Sequence, residues 1–433
     1  MAGSQLRVGF AEVDVTPPTG LPMCGGLDPR PNYGTADPLL AKTIVAESEG
    51  RKIAIVGVDI IGLPRSIVDP AIADAAQRTG IAPGAILVCC SHTHSGPYTS
   101  DGLYSFDITD AAYLGSLPGR IAESIERASK ALQPATMAIG RSLVHHGLHY
   151  RRVLCKDGKA YNTWMPGALN DLERCPQVIG AGGPIDPELW VARFDGTDGK
   201  PVGILWNFSL HVNSRWGQRW SADYPAVVAE EMQKAFGPQV ICVFTAGACA
   251  NINPTLGGER FREGAEYFAS EAIAAAKRAR PVDGPIVVDA VRRDLDVPRR
   301  TRESQPPEAI GRLDWGGSPR ADVFEPMVDW LESTPPRWRV PVNAARIGPL
   351  AVASNPGELF VEHGLSIKQR SPFPHTVVAE LTNDLILYQP TRAAMAQQGY
   401  ETLIGANRVA IDGIERIVDT AVELLQELWE RNS

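Results

Sequence analysis

The sequence predicts an α/β fold: a β-sheet core flanked by helices, with a metal site at the C-terminal ends of strands and a proline-rich insertion. Three observations predict it. Short apolar runs of strand length alternate with amphipathic stretches of helical period. Glycine and proline stand where helices must start or stop. Chemistry-bearing polar residues fall directly after several of the apolar runs, where ligands collect in α/β sheets.

In chain order, "KIAIVGVDI" (52–60) reads as a buried strand and "SIVDPAIADAAQRTG" (66–80) as a helix stopped by Gly80. "GAILVCCS" (84–91) is the next strand. Residues 111–132 are helical in at least their second half, because Pro118 is expected to break or start the helix. "VGILWNFSL" (202–210) is a strand, and 223–237 is a helix with Pro225 in its first turn and Gly237 past its end. "VICVFTAG" (240–247) is a strand and 264–279 a helix. Residues 346–370 read as strand, tight turn and helix, and 413–430 as a terminal helix with apolar residues three and four apart. Residues 281–345 are rich in proline and charge. They are expected to form an insertion or edge subdomain within a single domain spanning 1–433, with Trp315, Trp330 and Trp338 packed inside it.

Composition narrows the function. The 433 residues are 44% hydrophobic and 21% charged, as in soluble globular proteins. A net charge of -8 argues against a nucleic-acid partner. No apolar run is long enough to span a bilayer, so no membrane partner is expected, and "MAGSQLRVGF" lacks the apolar region of a secretion signal. The seven cysteines fit neither a disulfide framework nor a zinc CxxC pattern, which points to reduced thiols and a cytoplasmic location. The expected partner is a small-molecule substrate, with a homo-oligomer allowed.

The chain has only eight histidines, yet His92 and His94 both follow the strand ending in "VCC". His211 follows "GILWNFSL", the glycine-containing "TAGACANINP" follows "VICVF", and Glu358 follows "LAVAS". Imidazole and carboxylate are zinc ligands, and a catalytic zinc keeps one position open for water. A lone histidine is more often structural, and a helix-start glutamate more often a cap. Their shared position at strand ends favours a metal site. His145 and His149, four apart, would share a face on a helix, but Gly147 and the neighbouring residues suit a loop or strand, with Arg151 or Arg152 near substrate. Cys90 and Cys249 are alternative nucleophiles in apolar contexts that favour buried, inert thiols. Asp59 and Asp223 are candidates for orienting the ligands, and Asp223 also for capping its helix.

"GFAEVDVTPPTGLPMCGG", "CSHTHSGP", "NFSLH", "NPGELF" and "LTNDLILYQPT", in this order from about residue 6 to 405, resemble the catalytic domain of the neutral, non-lysosomal ceramidases. The resemblance implies a zinc amidase that cleaves N-acyl bonds. It implies Zn²⁺ held by His92, His211, Glu358 and Tyr388, with His94 beside the metal aiding proton transfer. At the place of the family's active-site serine the chain has Asn253, whose amide can donate a hydrogen bond to a developing oxyanion. The catalytic set is then His94, Asn253 and Tyr388, with water activated by zinc as the nucleophile. The family's C-terminal β domain and secretion route have no counterpart in this sequence, so negligible turnover of long-chain ceramide is expected.

On the substrate side, Arg151, Arg215, Trp216 and Arg260 are the candidates, with Arg219, Trp220 and Arg262 near them. Arginine grips carboxylate or phosphate and tryptophan gives a flat apolar wall. The expected reaction is hydrolysis of an amide in a small soluble polar compound. Alternatives are an ester, a lactone or a carbohydrate derivative as substrate, or a metal-binding protein without catalysis.

Overall fold

The computed structural model describes residues 5–163, 177–305 and 321–431. A nine-stranded mixed sheet dominates. From one edge it runs Ile241–Ala246, Pro201–Phe208, Glu188–Gly196, Gln133–Leu143, Arg7–Asp14, Leu40–Ser48, Arg51–Val58 and Ile86–Cys90, with Arg280–Pro281 paired onto Gln133–Leu143. The two halves, joined where Arg7 and Val8 pair with Pro134 and Gln133, fold onto each other. Two glycines permit this approach. A Cβ on Gly57 would lie 2.3 Å from the Phe244 carbonyl oxygen, and one on Gly203 would lie 2.5 Å from the Phe10 ring. Outside one half pack helices Arg65–Thr79 and Ala111–Lys130; outside the other pack Tyr224–Phe236 and Phe261–Lys277. Gly9 and Gly140 let helix backbone come close, since a Cβ at either would meet the Ala128 or Ala275 carbonyl oxygen at 2.0 and 2.1 Å.

A second sheet of four strands, Val288–Pro298, Arg337–Ile347, Leu350–Ser354 and His375–Ala379, packs against the terminal helix Ile411–Glu430. The first two strands pair along all eleven residues, so both ends of the stretch expected as an insertion lie in this sheet. Helix Ala321–Ser333 lies between them in sequence. Trp330 and Trp338 meet at 6.5 Å between ring centroids. Trp315 and Cys175 lie outside the described residues.

Most expected elements form within two or three residues of their predicted bounds. Gly80 ends its helix at φ 71°, as a left-handed cap should. Pro118 differs: the helix runs unbroken from Ala111 to Lys130 with the proline inside it. The Asp110 carboxylate caps the first turn by accepting from Tyr113 N at 2.7 Å, and Tyr113 and Leu117 are buried. Capping and burial together offset the one lost backbone bond.

Only three of the pairings between strands of the two large sheets are parallel: Arg51–Val58 with Ile86–Cys90, Pro201–Phe208 with Ile241–Ala246, and Leu350–Ser354 with His375–Ala379. The HTH segment, His211, the "TAGACANINP" loop and Glu358 each follow a strand of one of these pairs. Their C-terminal ends converge, and that convergence builds the site.

Candidate metal site and substrate cavity

Backbone hydrogen bonds tie the four loops together. His92 N donates to Ile60 O at 2.9 Å, His94 N to Val212 O at 3.0 Å, His211 N to Ile252 O at 3.1 Å, and Glu358 N to Leu387 O at 2.9 Å. His92 sits at φ 67°, a left-handed conformation uncommon for a non-glycine residue and concentrated at functional sites. Glu358–Leu359 and Tyr388–Gln389 form a short parallel pair in which Glu358 is opposite Tyr388. That pairing places the carboxylate and the phenol side by side.

The three histidines share one device. Each Nδ1 lies against a backbone carbonyl oxygen: His92 on Ile61 at 2.7 Å, His94 on Gly25 at 2.7 Å, and His211 on Cys249 at 3.0 Å. The proton therefore sits on Nδ1, and each Nε2 offers its lone pair inward. These three nitrogens lie within 4.8 Å of one another, with His92 and His211 only 3.0 Å apart and His92 and His94 3.3 Å apart. Burial first, then the neighbouring His92, hold His94 and His211 well below the usual imidazole range, in the neutral form a metal needs. Burial also opposes charge on His92, but the Glu358 carboxylate at 3.4 Å outweighs it and raises that imidazole. Glu358 Oε2, the oxygen 3.4 Å from His92 Nε2, is buried and has no hydrogen-bond partner. Converging lone pairs and an unpartnered carboxylate oxygen repel one another unless a cation lies among them, so this donor set fits a zinc ion.

His92 and His94 face a cavity of about 230 Å³, with His211 buried behind them. Leu27, Ile61, Leu103, Leu385, Leu387, Tyr104 and Tyr400 give it a largely apolar wall; His92, His94, Glu358, Arg151, Asn213, Tyr388 and Trp216 supply the polar atoms. Arg151 is 1% exposed, with its guanidinium 5.5 Å over the Tyr388 ring. Its Nε donates to Glu401 at 2.8 Å and its Nη1 to Asn253 Oδ1 at 3.2 Å. Burial opposes the charge on Arg151, but Tyr388 and Glu401 hold its pKa above the usual arginine value. Burial, with Glu358 beside it, pushes the Tyr388 hydroxyl well up.

The structure thus brings His92, His94, His211, Glu358, Tyr388 and Arg151 together. Trp216 joins them, its ring 6.4 Å from that of His94. Asn253 is fully buried behind Arg151 and does not line the cavity. Arg215 lies outside it, paired with Asp37 at 2.8 Å. Arg260 is on the surface, paired with Glu263 at 2.7 Å, and does not reach the cavity. Sequence proximity to the motif is a poor guide in its case, because the helix that follows turns it outward. Asp223 caps helix Tyr224–Phe236 and accepts from Arg215 N at 2.6 Å, while Asp59 accepts from Leu40 N at 3.1 Å; the histidines are oriented by carbonyls instead. His145 is exposed and His149 bonds Thr163 O at 3.1 Å from a short strand. Cys90 and Cys249 are fully enclosed, and burial raises both thiols far from reactivity.

Four residues of the site carry no signal in the sequence pattern. Tyr104 and Tyr400 share a hydroxyl–hydroxyl hydrogen bond in the cavity wall, and Asn213 lines it. Glu401, with no exposure, accepts from Arg151 and, at 2.6 Å, from Arg152 Nη1. Tyr400 and Glu401 come from the short helical turn Tyr400–Thr402, remote in sequence from the site histidines, whereas Asn213 stands just after His211 and Tyr104 in the loop that follows His94.

No protein-family profile and no curated protein matches the chain. Among solved structures it is similar to the neutral ceramidase from Pseudomonas aeruginosa, at TM-score 0.77 and 20% identity, over 99% of this chain and 75% of that one. It is also similar to a ceramidase complexed with C2, at TM-score 0.76 and 19% identity, over 99% and 76%. The chain has the fold of these proteins. No described helix is long and apolar enough to cross a membrane.

Proposed function

We propose that the protein belongs with the neutral ceramidases in mechanism as well as fold, and that it is a zinc-dependent amidohydrolase cleaving an N-acyl bond. The observation that carries this reading is the convergence of the His92 and His211 Nε2 atoms with a Glu358 oxygen that has no hydrogen-bond partner, the His94 Nε2 standing beside them at an apolar cavity. His92, His211, Glu358 and Tyr388 would hold the ion. His211 is fully buried and does not line the cavity, which suits a ligand and not a group that meets substrate. Zinc in such a site lowers the pKa of water from 15.7 to about 7 and polarises a carbonyl.

The chain's own residues supply the rest. His94 lines the cavity and, with Nδ1–H committed to Gly25 O, has Nε2 free to take the proton from the attacking water and pass it to the leaving nitrogen. Arg151 presents a buried positive charge beside Tyr388, where negative charge grows on the substrate oxygen. Asn253 acts through Arg151, by holding its Nη1. The apolar wall suits an apolar acyl half in place of a wholly polar compound. A 150 Å³ cavity accommodates a benzene ring, so about 230 Å³ takes roughly nine carbons, well short of a long-chain lipid.

The test is elemental analysis of protein purified without chelator, together with amine release from N-octanoyl and N-palmitoyl amides. About one zinc per chain, chelator-sensitive hydrolysis and preference for octanoyl are expected. Protein that neither carries nor takes up zinc, or hydrolysis indifferent to its removal, refutes the reading.

A further inference from the structure

The loop after His211 builds a second basin. Arg215, Trp216, Gly217, Gln218 and Arg219, with Tyr33 and Ala36, wall a space of about 410 Å³. Trp216 lines both this basin and the metal-site cavity, so one indole separates them. Only six large hydrophobic side chains among the described residues are exposed, and two of them, Tyr33 at 68% and Trp216 at 43%, are here. Open aromatics beside a cavity mark a ligand face.

The indole is held in place. The Arg30 guanidinium lies 4.7 Å over the Trp216 ring and donates to Gly217 O at 2.8 Å, to Cys24 O at 2.9 Å and to His94 O. Asp223 fixes the start of the loop through Ser214 and Arg215. Such a wall gives up little entropy when a ligand packs on it. The charges are unbalanced. Arg215 is matched by Asp37, whereas Arg219 is exposed and pairs with no carboxylate among the described residues. The inner cavity is therefore apolar and the outer basin aromatic and cationic. An amide spanning them would lay its acyl half inside and its amine half across Trp216.

We propose that this amine half is an amino acid, so that the substrate is an N-acyl amino acid. Its α-carboxylate pairs with Arg219, and a flat side chain packs on Trp216 and Tyr33. The proposal rests on the amidohydrolase reading. Water adds across the amide: the acyl carbon takes the hydroxyl, the nitrogen takes the proton, and a fatty acid and a free amino acid leave. No further reactant is needed.

The experiment compares N-octanoyl-L-phenylalanine with N-octanoyl-phenethylamine, which differ only in the carboxylate. An exposed charge pair contributes modestly, so kcat/KM should favour the carboxylate substrate by about fivefold at low salt. The ratio should shrink toward one at high salt and in Arg219→Gln, and persist in Arg219→Lys. Equal or faster cleavage of the uncharged amide by the wild type, or a preference that survives Arg219→Gln, overturns the proposal while leaving the amidohydrolase reading standing. Zinc-loaded protein that cleaves neither compound overturns both.

Discussion

Glu401 is the residue whose replacement tests the site most sharply. It is fully buried and is shared by two arginines: its Oε1 accepts from Arg151 Nε at 2.8 Å and its Oε2 from Arg152 Nη1 at 2.6 Å, with Asn162 Nδ2 adding a third donor. The guanidiniums are 1% and 0% exposed. Glu401→Gln keeps the volume but leaves two enclosed cations with no described anion between them. Removing one partner of a buried ion pair costs about 3–5 kcal/mol, and here one deletion strips two cations at once, so the upper half of that range is expected. Arg151 would also lose its anchor under Tyr388, so kcat should fall with zinc content unchanged.

The measurements are urea midpoints and zinc-loaded kcat for wild type, Glu401→Gln, Arg152→Met and the double variant. The double variant should recover part of the lost stability, because one uncompensated charge is gone; that coupling is read from the cycle. Acid titration gives an independent check. Burial opposes ionisation of Glu401, but Arg151 and Arg152 outweigh it and hold the carboxyl below its usual range. A depressed pKa contributes stability above the unfolded value of about 4.3 and loses it as pH falls through the folded value. Wild type should therefore lose this stability only below about pH 4, and Glu401→Gln should lack that component at every pH. A Glu401→Gln protein within about 0.5 kcal/mol of wild type and equally active would refute this account of the pair.

Three further outcomes are expected. His211→Ala should lose zinc while keeping its far-UV circular dichroism, and His149→Ala should keep the metal; zinc bound equally by both variants would place the ion elsewhere. Asn253→Ala removes a neutral partner from a charged donor, a loss of about 1.5–3 kcal/mol, and should lower kcat with zinc retained. An unchanged kcat per folded molecule would reduce Asn253 to a structural role. Gly57→Ala would press a methyl against the Phe244 carbonyl oxygen, 2.3 Å from the new Cβ, and should cost at least about 1–3 kcal/mol by urea unfolding. An unaltered midpoint would mean the two halves of the sheet do not close as described.

The sequence by itself determined the strands and helices, because apolar periodicity and the glycines and prolines at their ends act over a few residues. It determined that His92, His94, His211 and Glu358 stand just past strands, since an abrupt change from apolar to polar is local information. Resemblance to an amidase family added Tyr388, which no periodicity marks. The helix through Pro118 escaped local reading because a cap on Asp110 and the burial of Tyr113 and Leu117 outweigh one missing bond. Only the tertiary structure decided which polar residues meet. Arg151 and Glu401 are 250 residues apart and Tyr104 and Tyr400 are 296 apart, and both pairs are joined by the short helical turn Tyr400–Thr402. Arg260 lies near the motif in sequence and outside the cavity in space. Long-range placement depends on how the two halves of the sheet close and on the convergence of the three parallel pairs, and no window of the chain contains that information.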